Sequence, residues 1–120
     1  SDDNKLIEIV TDKDIYTAGE EIKIRITRAT LFPVSASPNF TIEEQSKSGN
    51  WKAKKKIEAK FPSNSGEKCV SMKNIDEMTG ISIALPENFL PGKYRVSVEF
   101  CGEIPESMPA IKESATFEIR

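Results

Sequence analysis

The chain contains no histidine. That absence removes Ser-His-Asp and Cys-His catalysis, and the commonest metal ligand, in one stroke. Only two cysteines occur, Cys69 and Cys101, and neither can belong to a Cys-His pair. The sequence also lacks GxGxxG, the P-loop pattern, GxSxG and CxxC, so nucleotide-binding, hydrolase and zinc-ribbon readings have no support. An enzyme built on this chain would have to work with carboxylates and lysines alone; the expectation is that it is not an enzyme and holds no cofactor or metal. No apolar run approaches the ~20 residues needed to cross a bilayer, which predicts a soluble chain. Neither sign of charge dominates: 17 basic and 19 acidic side chains leave a net charge of -2. That near-balance gives no global pull toward nucleic acid or acidic lipid, so no nucleic-acid partner is expected.

What is present is alternation. Ile22, Ile24 and Ile26 alternate with Lys23, Arg25 and Thr27, the period-2 signature of a half-buried strand rather than the 3.6 of a helix. The pattern recurs in Tyr94, Val96, Val98 and Phe100, and again in Ile81, Ile83 and Leu85. Shorter versions are Ile7 and Ile9, Phe40 and Ile42, Val70 and Met72, and Phe117 and Ile119. Between them lie "TAGE", "SKSGN", "PSNSGE", "LPENFLPGK" and "IPESMP", turn chemistry supplied by Gly, Pro, Asn and Ser. Apolar residues nowhere hold helical spacing for long, so helix is confined to a turn or two, with "NIDEM" the candidate. At 120 residues the chain has the size of one domain. Residues 1–4 read as a flexible tether and 5–120 as a single all-β domain, a sandwich or barrel of seven or eight short strands. The predicted core is Ile22, Ile24, Ile26, Phe40, Ile42, Trp51, Ile57, Ile81, Ile83, Leu85, Tyr94, Val96, Val98, Phe100, Phe117 and Ile119.

Two stretches say more. In "TDKDIYTAGEEIKIRIT", residues 11–27, the first strand ends near Asp12, Gly19 permits a sharp reversal at positive φ, and the isoleucines then enter the core. Tyr16 is placed to cap that end. In "LPGKYRVSVEF", residues 90–100, Pro91 and Gly92 make the turn and Tyr94 begins a strand, where its ring can be buried while its hydroxyl returns to backbone across the corner. The first stretch looks like the opening of bacterial immunoglobulin-like and macroglobulin-type sandwich domains, whose first hairpin carries a T-D-K-x-x-Y-x-x-G-E pattern. The second resembles their penultimate strand. This resemblance implies an immunoglobulin-like antiparallel β-sandwich in a secreted or surface-anchored bacterial protein. The opening "SDDNK" resembles the tether that follows the lipid-modified cysteine of bacterial lipoproteins; the alternative is a boundary inside a longer chain. An extracytoplasmic location follows as an expectation, with any membrane contact made through an N-terminal lipid anchor.

Four local features are candidates for chemistry. Asp12, Asp14, Glu20 and Glu21 cluster around the first hairpin, either as oxygen ligands for calcium or as a solvated turn. "NFT" at Asn39–Thr41 fits the N-glycosylation pattern and reads as chance in a bacterial chain. "WKAKKKIEAKF", taken as one regular strand, sends Trp51, Ala53, Ile57, Ala59 and Phe61 one way and Lys52, Lys54, Lys56 and Lys60 the other. The resulting basic stripe is either a lysine-guarded sheet edge or a site for a phosphate-bearing polymer. Finally, Leu31, Phe32, Val34, Ile104, Met108 and Ile111 fall in Pro-containing connections expected at one end of the sandwich. There they form either a partner surface or a plug for the open core.

The function these readings favour is a non-catalytic immunoglobulin-like module engaged in protein interaction, adhesion or spacing, with an unknown protein or glycan partner. The alternatives are an immunoglobulin-like protease inhibitor and a carbohydrate-binding module, the latter disfavoured because most aromatics occupy apparent core positions. A Cys69–Cys101 disulfide is expected if the compartment is oxidising, and two free thiols are the alternative.

Overall fold

The computed structural model of the protein describes residues 7–28, 35–36, 39–60, 70–71, 77–101 and 112–120. Every regular element among them is a strand: β1 (Ile7–Thr11), β2 (Ile15–Tyr16), β3 (Glu21–Arg28), β4 (Ser35–Ala36), β5 (Asn39–Gln45), β6 (Trp51–Glu58), β7 (Val70–Ser71), β8 (Glu77–Ala84), β9 (Gly92–Cys101) and β10 (Lys112–Ile119). Glu77 and Met78, expected in a helical turn, instead open β8; the rest of "NIDEM" and residues 1–6 lie outside the described residues.

The strands form two sheets, as a β-sandwich requires. The smaller has the order β1-β3-β8, antiparallel throughout. In the larger, β10 lies between β2 and β9. The N-terminal half of β9 pairs with β5, which pairs with β6, while its C-terminal end pairs with β4 and, beyond it, β7. The chain changes sheet between β1 and β2, and β2 runs parallel to β10. Gly19, at φ 87°, makes the reversal into β3. A side chain there would be strained and its Cβ would meet the Glu87 side chain at 3.0 Å.

Alternation places the core between the sheets. Ile22 and Ile24 oppose Ile83 and Ile81 in the smaller sheet, while Tyr94 and Val96 oppose Phe117 and Ala115 in the larger. Ile22, Ile24, Ile26, Phe40, Ile42, Ile81, Ile83, Leu85, Tyr94, Val96, Val98, Phe117 and Ile119 are all buried as the sequence predicts, joined by Ile9, Tyr16 and Ala59. Each large apolar side chain so buried contributes about 1.5–3 kcal/mol relative to exposure. The side chain of Phe100 lies outside the described residues.

Two β-bulges set the faces. In β8, the three steps from Met78 to Ile81 match the two steps between Ile26 and Ile24 on β3, and Gly80 at φ 80° takes the left-handed conformation such an insertion favours. In β6, Ile42 opposes Lys55 but Glu43 opposes Ala53, so Lys54 is the extra residue. The second bulge overturns the prediction for Trp51 and Ala53. An added residue reverses the faces on one side of it, so Trp51 and Ala53 point to the outer face of the sheet and Ile57 to the inner. Accordingly Trp51 is only half-buried, Ala53 is exposed, and Ile57 is partly buried against the core.

Candidate functional site

On the outer face of the larger sheet the bulge brings three strands' polar side chains together with the single tryptophan. Ala53, Glu43 and Arg95 form one cross-strand row, and Glu43 is followed on the next row by Ser97. Buried carboxylates need partners. Glu43, 7% exposed, accepts bonds from Arg95 Nε at 2.9 Å, Arg95 Nη2 at 3.2 Å and the Ser97 hydroxyl at 2.6 Å. This two-point grip fixes the guanidinium plane. The guanidinium carbon in turn sits 4.5 Å from the centroid of the Trp51 ring, a cation–π contact. Beside this stack, Trp51, Gln45 and Lys93 line a depression of about 430 Å³ with Thr116, Glu118 and Asp14. Gln45 is anchored through its amide N–H to the Gly49 carbonyl at 3.2 Å, in the turn where Gly49 has φ 91°.

The two tyrosines lock the corners. Tyr94 is fully buried, and its hydroxyl donates to the Leu90 carbonyl at 2.6 Å, with the Glu44 carboxylate a second acceptor at 3.2 Å. Burial first, and then the nearby Glu44 charge, push its ionisation up to about 12. The hydrogen-bonded turn lies four residues earlier than predicted, at Glu87–Asn88: Phe89 N–H bonds to the Pro86 carbonyl, and Gly92 already belongs to β9. Tyr16 is likewise buried, edge-on to Phe117, and donates to Asp12 Oδ1 at 2.6 Å while accepting from the Lys13 N–H at 2.9 Å. Burial and the bond to Asp12 push Tyr16 up to about 12 as well.

Of the four acidic residues of the first hairpin, Asp12 and Glu20 are committed locally. Burial would raise the Asp12 carboxyl, but bonds from the Tyr16 hydroxyl and the Lys23 N–H outweigh it and hold it below the usual carboxylate value. Glu20 pairs with Lys13 and accepts from the Thr17 N–H. The Lys13 contact holds Glu20 low and, reciprocally, Lys13 high. Among the described residues no group of three His, Cys, Asp or Glu side chains is placed to hold a metal ion.

The lysine stripe does not survive as one face, because the bulge lies inside it. Lys52 opposes Glu44 in the row of buried Tyr94. Lys54, the bulge residue, lies 3.6 Å from Glu44 and above the Phe89 ring. Lys56 opposes Thr41 in the row of Ser97, on the outer face. Lys60 makes a two-bond backbone bridge to Ser82 of the other sheet. Leu31, Phe32, Val34, Ile104, Met108, Ile111 and Cys69 lie outside the described residues. Cys101 is described only through its backbone pairing with Ser35 at the end of β9.

No family model matches the chain, and no curated protein does. Among solved structures it is similar to the Pseudomonas fluorescens alkylpurine DNA glycosylase AlkC bound to DNA containing an abasic-site analogue. The TM-score is 0.50 at 16% identity, over 96% of this chain and 30% of that one. It is also similar to a family 123 glycoside hydrolase from Clostridium perfringens, with TM-score 0.48 and 14% identity over 97% of this chain and 27% of that one. A third is AvmM, which catalyses macrocyclization in alchivemycin A biosynthesis, with TM-score 0.48 and 12% identity over 98% and 89% of the two chains. The chain thus spans about a third or less of the glycosylase and the hydrolase. At these identities the likeness to the glycosylase speaks for a shared β-fold alone.

Proposed function

We propose that the chain is a non-catalytic immunoglobulin-like module of a secreted or lipid-anchored bacterial envelope protein, and that it binds its partner on the outer face of the larger sheet. Strand order supports the fold reading: β1-β3-β8 facing β10-β9-β5-β6 follows the A-B-E and G-F-C-C′ order of immunoglobulin sandwiches. The Tyr94 hydroxyl bonded to the Leu90 carbonyl supports it further, since that is the geometry of a tyrosine corner. Fold alone licenses no function. The observation that carries the binding role is Trp51, a half-buried indole on a sheet face, held by a guanidinium that a buried carboxylate grips. Aromatic and arginine side chains fixed in this way are the usual anchors of recognition surfaces.

The test is a photo-crosslinking amino acid in place of Ala53, exposed beside Trp51 on the same face, with the same group at Arg25 on the smaller sheet as control, irradiated in the native cells. A discrete adduct from position 53 and none from position 25 is the expected result. No adduct at 53, or the same adduct from both positions, would overturn the reading.

A further inference from the structure

Resting on that reading, we infer that the depression beside Trp51 is a binding site for a neutral carbohydrate, with one sugar ring stacked on the indole. The stack begins with the aromatic quadrupole: the face of an indole is electron-rich and attracts the weakly positive C–H hydrogens that line one face of a pyranose. Arg95 stacks on the ring at 4.5 Å, and the same tryptophan lines the depression. The ring is also preorganised, because Glu43 fixes Arg95 and Arg95 fixes Trp51. A ligand stacking there spends little on ordering the site.

The polar lining chooses among ligands. Gln45 and Thr116 each offer donors and acceptors, Lys93 offers donors only, and Asp14 and Glu118 offer acceptors only. Sugar hydroxyls both donate and accept, so such a mixed set suits them. Lys93, together with Arg120, which pairs with Glu118 at 3.4 Å, balances the Asp14 and Glu118 carboxylates, so the depression offers no excess positive charge for a nucleotide or an anionic polymer. The same balance leaves no strong field for a charged peptide to follow. A space of about 430 Å³ lies within the range of small-molecule sites and admits one to two sugar rings.

Because the chain has one tryptophan, its intrinsic fluorescence reports on this site directly. The experiment titrates the intact domain with cellotetraose, xylotetraose, mannotetraose, maltotetraose and chitotetraose, with sialyllactose and polyphosphate as anionic probes, all to millimolar concentration. A saturable emission change with at least one neutral oligosaccharide, insensitive to added salt, is expected. By calorimetry, Trp51→Ala should weaken binding of that oligosaccharide at least about tenfold. Thr116→Arg, which leaves the indole intact and fills the depression from an exposed position, should do the same. The inference is overturned if no neutral probe shifts the emission, if only the anionic probes do, or if Thr116→Arg binds sugar as the parent does. A protein adduct at position 53 without sugar binding would sink this inference and leave the module reading standing.

Discussion

β3 and β6 are both eight-residue strands, yet in β3 every second residue from Ile22 to Ile26 is buried while in β6 five consecutive residues, Lys52 to Lys56, are exposed. The difference lies in their neighbours. β3 is paired on both sides, by β1 and β8, and a slip of one residue would turn its isoleucines to solvent. β6 is paired with β5 alone among the described residues. An edge strand can accommodate an extra residue because only one ladder has to absorb it. Interior position enforces periodicity, and an edge leaves room to re-aim a side chain, here Trp51.

The strongest way to break the comparison is to empty the interior strand. Ile24→Ala should cost about 2–5 kcal/mol in urea denaturation, the range for losing a buried branched side chain; a cost below that of an exposed substitution would refute the packing. On the other side, Glu43→Ala leaves Arg95 and Ser97 without their acceptor and should cost about 2–3 kcal/mol. The exposed Lys54–Glu44 pair, removed by Lys54→Ala, should cost only about 0–1 kcal/mol.

Both of the chain's tyrosines lie in the larger sheet, Tyr16 on β2 and Tyr94 on β9. Tyr94→Phe, which deletes the bond to Leu90, should cost about 1–2 kcal/mol. Both phenols ionise at about 12 in the fold against 10.0 ordinarily. The raised values mean that their stabilising contribution is full below pH 10 and is lost as pH rises through about 12. Ultraviolet titration of the native protein should therefore show no tyrosinate near pH 10, and absorbance growing there with the fold intact would contradict the burial of both rings. The smallest expected effect is the sharpest for the bulge: Ala53→Lys should change stability by less than about 0.5 kcal/mol. Were Ala53 directed inward, as strict alternation demands, the same change would cost several times more.

These expectations show why some elements could be read from sequence and others not. Isoleucine against lysine or threonine has a phase, so β3, β8 and β9 announce which residues face the core. The segment around Lys54–Lys56 has none. Three identical residues look the same whether or not one of them is inserted, and the change of face between Trp51 and Ile57 is hidden there. The Tyr94 corner was legible because proline, glycine and tyrosine each restrict the backbone or demand a partner. The grip of Glu43 on Arg95 was not legible: the residues are far apart in sequence, and an acidic residue inside an apolar strand reads equally well as a solvated one. The connections holding Leu31, Phe32, Val34, Ile104, Met108 and Ile111, and Cys69 of the expected pairing with Cys101, fall outside the described residues.

The parallel pairing of β2 with β10 has a mechanical meaning. The Glu118 N–H bonds to the Asp14 carbonyl at 2.8 Å, and the Arg120 N–H to the Tyr16 carbonyl at 3.0 Å. In a parallel pair, a pull backward along the chain from residue 14 and forward from residue 120 acts along the strands in opposite directions, across the hydrogen bonds. These bonds therefore carry the load together in shear and do not open one after another like a zip. Tension that enters β2 from β1 and leaves through residue 120 would load this short edge at once, and the edge would yield abruptly.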